Sequence, residues 1–295
     1  MPDGQEVFDA AAAKLRGADV PRDLHGAREL FRQAAGTGRL DAAVIYCNLL
    51  AAGVGGPREW AASLRLLAAL AEANPASRRQ LELIRTMDLD PEGDPLAAPP
   101  GKALSATPQI RRFEGLFSTA ETQYLAAAAR PMLQPAVVIG PGGGQTADRV
   151  RICDSAGFTW PLENPAVHAL NRRLAAASAT SPEQGEPLQV LRYRPGGEYK
   201  PHFDAIPGFA NQRILTFLVW LNADYEGGET AFTSAALKLK GRPGDALLFR
   251  NAGPDGRRDP AAGHAGLPVT RGEKLVASRW IRARPFEMPA GDRAG

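Results

Sequence analysis

His202-Phe203-Asp204, followed sixty residues later by His264 and ten residues beyond that by Lys274, is the constellation in this chain that could do chemistry. In an extended strand alternate side chains leave the same face, so His202 and Asp204 aim an imidazole and a carboxylate the same way. A second imidazole would complete one face of a metal. Two neutral nitrogens and one carboxylate on one face leave the opposite positions open, which suits redox-active non-haem iron and not a closed structural ion. Histidine is scarce, four in 295 residues, and His25 and His168 fall in segments with helical patterning. His264 is therefore the expected third ligand, with His25 and His168 read as packing or surface residues.

The residues around these positions extend the pattern. Tyr193-Arg-Pro-Gly-Gly-Glu-Tyr199-Lys-Pro-His202-Phe-Asp204 is followed by Arg213-Ile-Leu-Thr216-Phe-Leu-Val-Trp220-Leu-Asn222. Glu226-Gly-Gly-Glu-Thr230-Ala-Phe232, Pro243-Gly-Asp245-Ala-Leu-Leu-Phe249 and His264-Ala-Gly-Leu-Pro-Val-Thr-Arg-Gly-Glu-Lys274 come next. Over about residues 188 to 286 this succession resembles the prolyl 4-hydroxylase-like branch of the Fe(II)/2-oxoglutarate-dependent dioxygenases. The resemblance implies His202, Asp204 and His264 as catalytic metal ligands, and Lys274, Tyr193 and Thr216 as cosubstrate-binding residues. It also implies Fe(II), 2-oxoglutarate as cosubstrate, O₂, and ascorbate.

Lys274 makes physical sense in that role. A dicarboxylate that chelates iron through one end leaves a distal carboxylate, and a buried site needs a cation there to offset desolvation. An exposed strand lysine is the competing reading, and Arg271 is the competing cation. Tyr193 and Thr216 would add hydroxyl hydrogen bonds, although both residue types also favour strands for their own sake. Trp220, Phe217 and Phe249 are read as core or barrel-lining residues.

Composition fits a globular enzyme with an accessory region: 44% of residues are hydrophobic and 23% charged. A net charge of +3 without a long basic run points to neither nucleic acid nor a membrane surface. The only cysteines, Cys47 and Cys153, argue against a disulfide framework and for a reducing compartment. No basic-then-apolar leader follows Met1, and no apolar run approaches a membrane span, so the expected location is cytoplasmic.

The elements that must position the site fall into four stretches. Residues 1–90 carry Ala and Leu at helical spacing, and Pro21-Arg-Asp-Leu24 aligns with Pro57-Arg-Glu-Trp60 at an offset of 36 residues. With the small-residue turns between them, these segments resemble Sel1-like helical repeats of the tetratricopeptide class. Two repeats fall short of an independent solenoid, which implies protein docking or self-association, or a cap that only stabilises. Residues 91–108, part of a proline-rich stretch that starts near Asp88, read as a linker.

Residues 109–288 read as the dioxygenase domain. It opens with a strand over Ile110–Phe117, and Ser118-Thr-Ala-Glu121 then predicts a capped helix through Ala129. Strands are expected at Pro135–Ile139 and Val150–Cys153, separated by Gly140–Gly144, a loop near the substrate mouth flanked by Arg149 and Arg151. From Leu188 onward, short strands and turns at Gly196-Gly197, Pro207-Gly208, Gly227-Gly228 and Pro243-Gly244 predict an antiparallel jelly roll. Residues 289–295 read as a disordered tail. The expected fold class is α+β: an N-terminal α-helical repeat region followed by a double-stranded β-helix (jelly-roll) catalytic domain with supporting helices.

The function these readings point to is hydroxylation of an unactivated C–H, with conversion of 2-oxoglutarate to succinate and CO₂. The resemblance favours a prolyl residue of a peptide or protein. The alternatives are a free amino acid or small metabolite as substrate, and a non-catalytic protein that senses iron or 2-oxoglutarate. Cupin-like isomerase or hydrolase chemistry is a further one, and would have no use for Lys274.

Overall fold

The structure, a computed structural model, describes residues 4–290 except 18, 99, 140–144, 148–149 and 254, with the backbone alone described at 137–139 and 145–147. The glycine stretch 140–144, Arg149 and residues 291–295 of the expected tail lie outside the described residues. The chain divides into two compact units. The first comprises residues 1–97, 158–173 and 287–295; the second comprises 98–157 and 174–286.

Helices dominate the first unit: α1 (Gly4–Arg16), α2 (Leu24–Gly36), α3 (Leu40–Ala52), α4 (Trp60–Ala73) and α5 (Pro75–Ile84). Each packs on the next, because alanines on their inner faces (Ala11, Ala27, Ala34, Ala42) admit close approach around Phe31 and Leu49. The 36-residue offset is visible as two helix pairs, with α2 and α4 both beginning three residues after a proline. Asp23 caps α2 by accepting from the Gly26 amide, and Asn74 caps α5, where Pro75 takes the first helical position. Residues 88–96 are not a free linker: Leu89 bridges Pro95, and the Asp90 carboxylate accepts from the amides of Glu92 and Asp94 at 3.0 and 2.7 Å. Gly93, at φ +77°, lies flat on Trp60, where any Cβ would collide with the indole. Local side-chain acceptors and a left-handed glycine thus lock a segment whose composition suggested slack. His168 is buried in this unit, its Nδ1 2.8 Å from Glu163 Oε1.

The second unit begins with β1 (Lys102–Ala106) and β2 (Gln109–Phe113), so the expected linker ends in a strand. β2 stops short of Phe117 because Glu114-Gly115 turns, with the Gly115 amide bound to Asp245 Oδ1. α6 (Thr119–Ala129) carries the predicted capping box, with Ser118 and Glu121 exchanging hydrogen bonds. Then come β3 (Gln134–Pro135), β4 (Val137–Ile139), β5 (Gln145–Ala147) and β6 (Asp154–Phe158). Of Val150–Cys153, expected as a strand, residues 150–152 run beside the later metal segment through Lys200 N to Val150 O and Ile152 N to Glu198 O. That contact is too short for a regular ladder. α7 (Pro165–Ser178) is shared between the units at Arg173.

The remaining strands are β7 (Leu188–Tyr193), β8 (Tyr199–His202), β9 (Arg213–Trp220), β10 (Tyr225–Gly227) and β11 (Thr230–Phe232). After them come β12 (Leu237–Leu239), β13 (Ala246–Arg250), β14 (His264–Gly266), β15 (Val269–Gly272) and β16 (Lys274–Arg282). One sheet has the order β1-β2-β13-β9-β16-β7-β6-β3 and the other β12-β11-β14-β8, with β10 and β15 paired beside them. Leu191, Trp220, Phe249 and Val276 of the large sheet share a buried cluster with Phe232 of the small one, so the core lies between the two sheets. This is the double-sheet jelly roll that the spacing of turns predicts.

Candidate metal centre

His202 ends β8, His264 begins β14, and the two are register partners in the small sheet. Adjacent antiparallel strands hold directly opposed side chains about 5 Å apart, which suits two ligands of one ion. Asp204 follows on the same face. One donor atom from each of the three residues lies within 4.8 Å of the others. His202 Nε2 is 3.6 Å from Asp204 Oδ1, and His264 Nε2 is 3.7 Å from Asp204 Oδ2.

Both imidazoles are oriented from behind. His202 Nδ1 lies 2.8 Å from the Lys200 carbonyl, and His264 Nδ1 lies 3.0 Å from that of Ala262. Donation from Nδ1 leaves the Nε2 lone pairs free for the shared centre. The Tyr199 ring stacks on His202, with centroids 3.4 Å apart, and Phe232 and Phe249 flank His264. Burial lowers the pKa of His264, which favours the neutral, ligating form. Burial alone would raise the Asp204 carboxyl, but His264, His202 and the Thr216 hydroxyl hold it well below the usual range. The donor set fits a divalent first-row metal with an open side.

Lys274 opens β16 directly opposite Tyr193 on β7, and both face the same pocket as the three ligands. Its ammonium is buried, donates to the Gly228 carbonyl at 2.8 Å and lies 5.3 Å from the Tyr193 ring centre. Burial depresses its pKa to about 8 against the opposing pull of Glu229. Burial pushes the Tyr193 phenol up, so it stays a donor at neutral pH. Arg271, the competing cation, is exposed and paired with Glu226.

Thr216 departs from its expected place. Its hydroxyl donates to Asp204 Oδ2 at 2.6 Å and accepts from Asn251 Nδ2 at 2.7 Å, so it orients a metal ligand and does not offer its proton to the cosubstrate. A hydroxyl has one hydrogen, and the carboxylate is the stronger acceptor. Asn251 escaped the sequence reading. Its signal is a fully buried amide two positions beyond the core residue Phe249.

Arg151 is buried in the pocket wall, its guanidinium 5.3 Å from the Tyr199 ring and 5.9 Å from that of Trp280, with a long hydrogen bond to Gln189 Oε1 at 3.4 Å and the Tyr193 phenol beside it. Its Nε has no hydrogen-bond partner among the described residues. Alternation around an exposed Val150 and Ile152 could have marked Arg151 as the inward residue.

Residues 188–282 match the 2OG-Fe(II) oxygenase superfamily. Over 229 residues the chain is 34% identical to prolyl 4-hydroxylase 1 of Arabidopsis thaliana, covering 71% of this chain and 77% of that one. It is 32% identical over 215 residues to probable prolyl 4-hydroxylase 7 of the same plant, covering 65% and 68%. Among solved structures, the viral collagen prolyl hydroxylase of Paramecium Bursaria Chlorella virus-1 superposes with a TM-score of 0.49 at 29% identity, covering 59% of this chain and 96% of that one. The chain belongs to the prolyl 4-hydroxylase family of 2OG-Fe(II) oxygenases, dioxygenases that use Fe(II), 2-oxoglutarate and O₂.

Proposed function

We propose that this dioxygenase hydroxylates a prolyl residue within a peptide or protein. The observation that supports this most strongly is the open His202-Asp204-His264 face in one pocket with a buried lysine, in a chain whose relatives are prolyl 4-hydroxylases.

His202, Asp204 and His264 would hold Fe(II). Bound iron with 2-oxoglutarate supplies the activation of O₂ and the oxidising power for C–H hydroxylation, with succinate and CO₂ as coproducts. Lys274 receives the distal carboxylate of the cosubstrate: its buried ammonium donates to a neutral carbonyl, that of Gly228, and gains by pairing with a carboxylate. The Tyr193 hydroxyl donates alongside it. Thr216, held by Asn251, keeps Asp204 at a fixed angle. Arg151 and Trp280, buried in the lining of the same pocket, face the substrate in this reading. The Phe232 and Phe249 rings exclude water from behind His264.

The helix pairs of the first unit are proposed as Sel1-like repeats that dock a partner protein or a second copy, with the 36-residue periodicity as their support. Ascorbate as reductant and a reducing cytoplasm, consistent with two free thiols, complete the proposal.

The test is anaerobic titration with Fe(II) and 2-oxoglutarate followed by visible absorbance, then succinate release in air with a panel of prolyl peptides. The expected result is a charge-transfer band and peptide-stimulated succinate, both lost in His264→Ala. Bound metal with neither band nor turnover would overturn the assignment.

A further inference from the structure

We infer that the cleft beside the metal segment recognises an acidic stretch of the polypeptide substrate, flanking the residue that reacts. This rests on the proposed prolyl hydroxylation and names the class of sequence it selects. One wall of the cleft is Ala205–Gly208 with Gln212, which leaves directly from the ligand Asp204; the other is Gly256–Arg258.

The charge around this cleft is out of balance. Arg257 and Arg258 line it, and Arg282 and Arg284 reach the carbonyls of Asn211 and Ala210 in the loop that leads away from its first wall. Glu186 is shared by Arg213 and Arg282. Asp259 is occupied in accepting from the Ala261 amide. Asp255 stands 3.7 Å from an Arg257 side chain that is 89% exposed. Arg258 has no carboxylate partner among the described residues; its guanidinium lies over the Phe203 ring at 4.1 Å. Among the described residues, the Arg284 guanidinium makes one long contact, with the Ala210 carbonyl at 3.4 Å. Arginine stacked on an aromatic face keeps its N–H edges free for a carboxylate, which it binds in two-pronged fashion.

The surface is built in advance. Gln212 clamps the loop by donating to the Ile206 carbonyl at 2.7 Å and accepting from the Ile206 amide at 2.8 Å. Asn211 is tied to the Arg284 and Pro285 carbonyls, and Arg282 donates to the Asn211 carbonyl. Phe203, under the Arg258 guanidinium, and Phe209, next to Gly208, are 36% and 56% exposed. A peptide covers such a surface with apolar side chains between its carboxylates. A nucleic-acid backbone would satisfy the arginines and leave Ile206 and Pro207 uncovered, so the polypeptide is the better match.

The test uses the full chain loaded anaerobically with Fe(II) and 2-oxoglutarate, and three labelled peptides identical around one Ala-Pro-Ala target but flanked by Glu, Gln or Lys. Anisotropy should show the Glu peptide binding about tenfold tighter than the Gln peptide and the Lys peptide weakest, with the difference shrinking at high salt. The double variant Arg257→Glu/Arg258→Glu should reverse the order while the charge-transfer band is retained. In turnover the preference should fall on KM with kcat unchanged. Equal binding of the Glu and Gln peptides, an unchanged order in the double variant, or tighter binding of an oligothymidylate would overturn the inference. Charge-selective binding without hydroxylation would leave the surface standing and remove the prolyl reaction. Hydroxylation with equal KM for all three peptides would do the reverse.

Discussion

Lys274 carries the most consequential charge in the pocket after the metal ligands. Its pKa is depressed to about 8 by burial, from the ordinary 10.5. Between those values the unfolded chain binds the proton and the folded one does not, so without cosubstrate the burial penalty is full below pH 8 and is relieved as pH rises through 8 toward 10.5. In its proposed role, pairing with the cosubstrate's distal carboxylate, Lys274 acts in the charged form. We expect the affinity for 2-oxoglutarate, read from the charge-transfer titration, to be nearly constant from pH 6.5 to 7.5 and to fall as pH climbs past about 8. Lys274→Met should remove both the pH dependence and most of the affinity. The neighbouring relay makes a separate prediction. Thr216→Val deletes the donor to Asp204 Oδ2 and strands the Asn251 amide, and outer-layer losses of this kind cost about 10- to 100-fold in metal affinity. Anaerobic Fe(II) titration against wild type measures it, and retained wild-type affinity would contradict the orienting role. That His202, Asp204, His264 and Lys274 share one pocket was legible in the sequence because charged and imidazole side chains are informative where they are scarce. Thr216's true partner was not, since its bond to Asn251 is set by strand register that no local pattern encodes.

At the scale of elements, local chemistry was the most readable. Ser118 and Glu121 form the predicted reciprocal cap, because a capping box is satisfied within four residues and needs no tertiary context. Ser118→Ala should cost about 1 kcal/mol, measured as a shift in denaturant midpoint at constant slope. The paired starts of α2 and α4 were legible from the 36-residue offset of their prolines, although only α2 has a side-chain cap, from Asp23. Residues 88–108 were misread because proline richness reports lost flexibility as readily as lost structure. Asp90 and Gly93 build a packed turn there, and Lys102–Ala106 finds strand partners at Gln109–Phe113. Residues 150–152 look like a strand in isolation, yet only a single bridge, Arg151 to Tyr199, was available to them.

For the whole molecule, the site is built across the core and not on one element. β8 and β14 of the small sheet supply the histidines, β9 supplies Thr216, and β7 and β16 of the large sheet supply Tyr193 and Lys274. The spacing of turns foretold two antiparallel sheets. It could not foretell an eight-strand order that starts with an N-terminal hairpin, because that order follows from which edges remain free once the chain has collapsed. The consequence is thermodynamic. In the proposed roles, the residues that would hold Fe(II) and those that would hold 2-oxoglutarate come from different strands, so both ligands would bind the assembled second unit and not its unfolded chain. A ligand at a hundred times its dissociation constant should then stabilise that unit by about 2.7 kcal/mol. Calorimetry under anaerobic conditions should show the transition that includes the second unit rising with iron, and rising again with 2-oxoglutarate. Both increments should be lost on adding chelator or in His202→Ala. In Lys274→Met the iron increment should persist while the 2-oxoglutarate increment shrinks, which separates the metal-binding sheet from the cosubstrate-binding one. Equal loss of both increments in that variant would mean that the two sheets do not divide the ligands in this way.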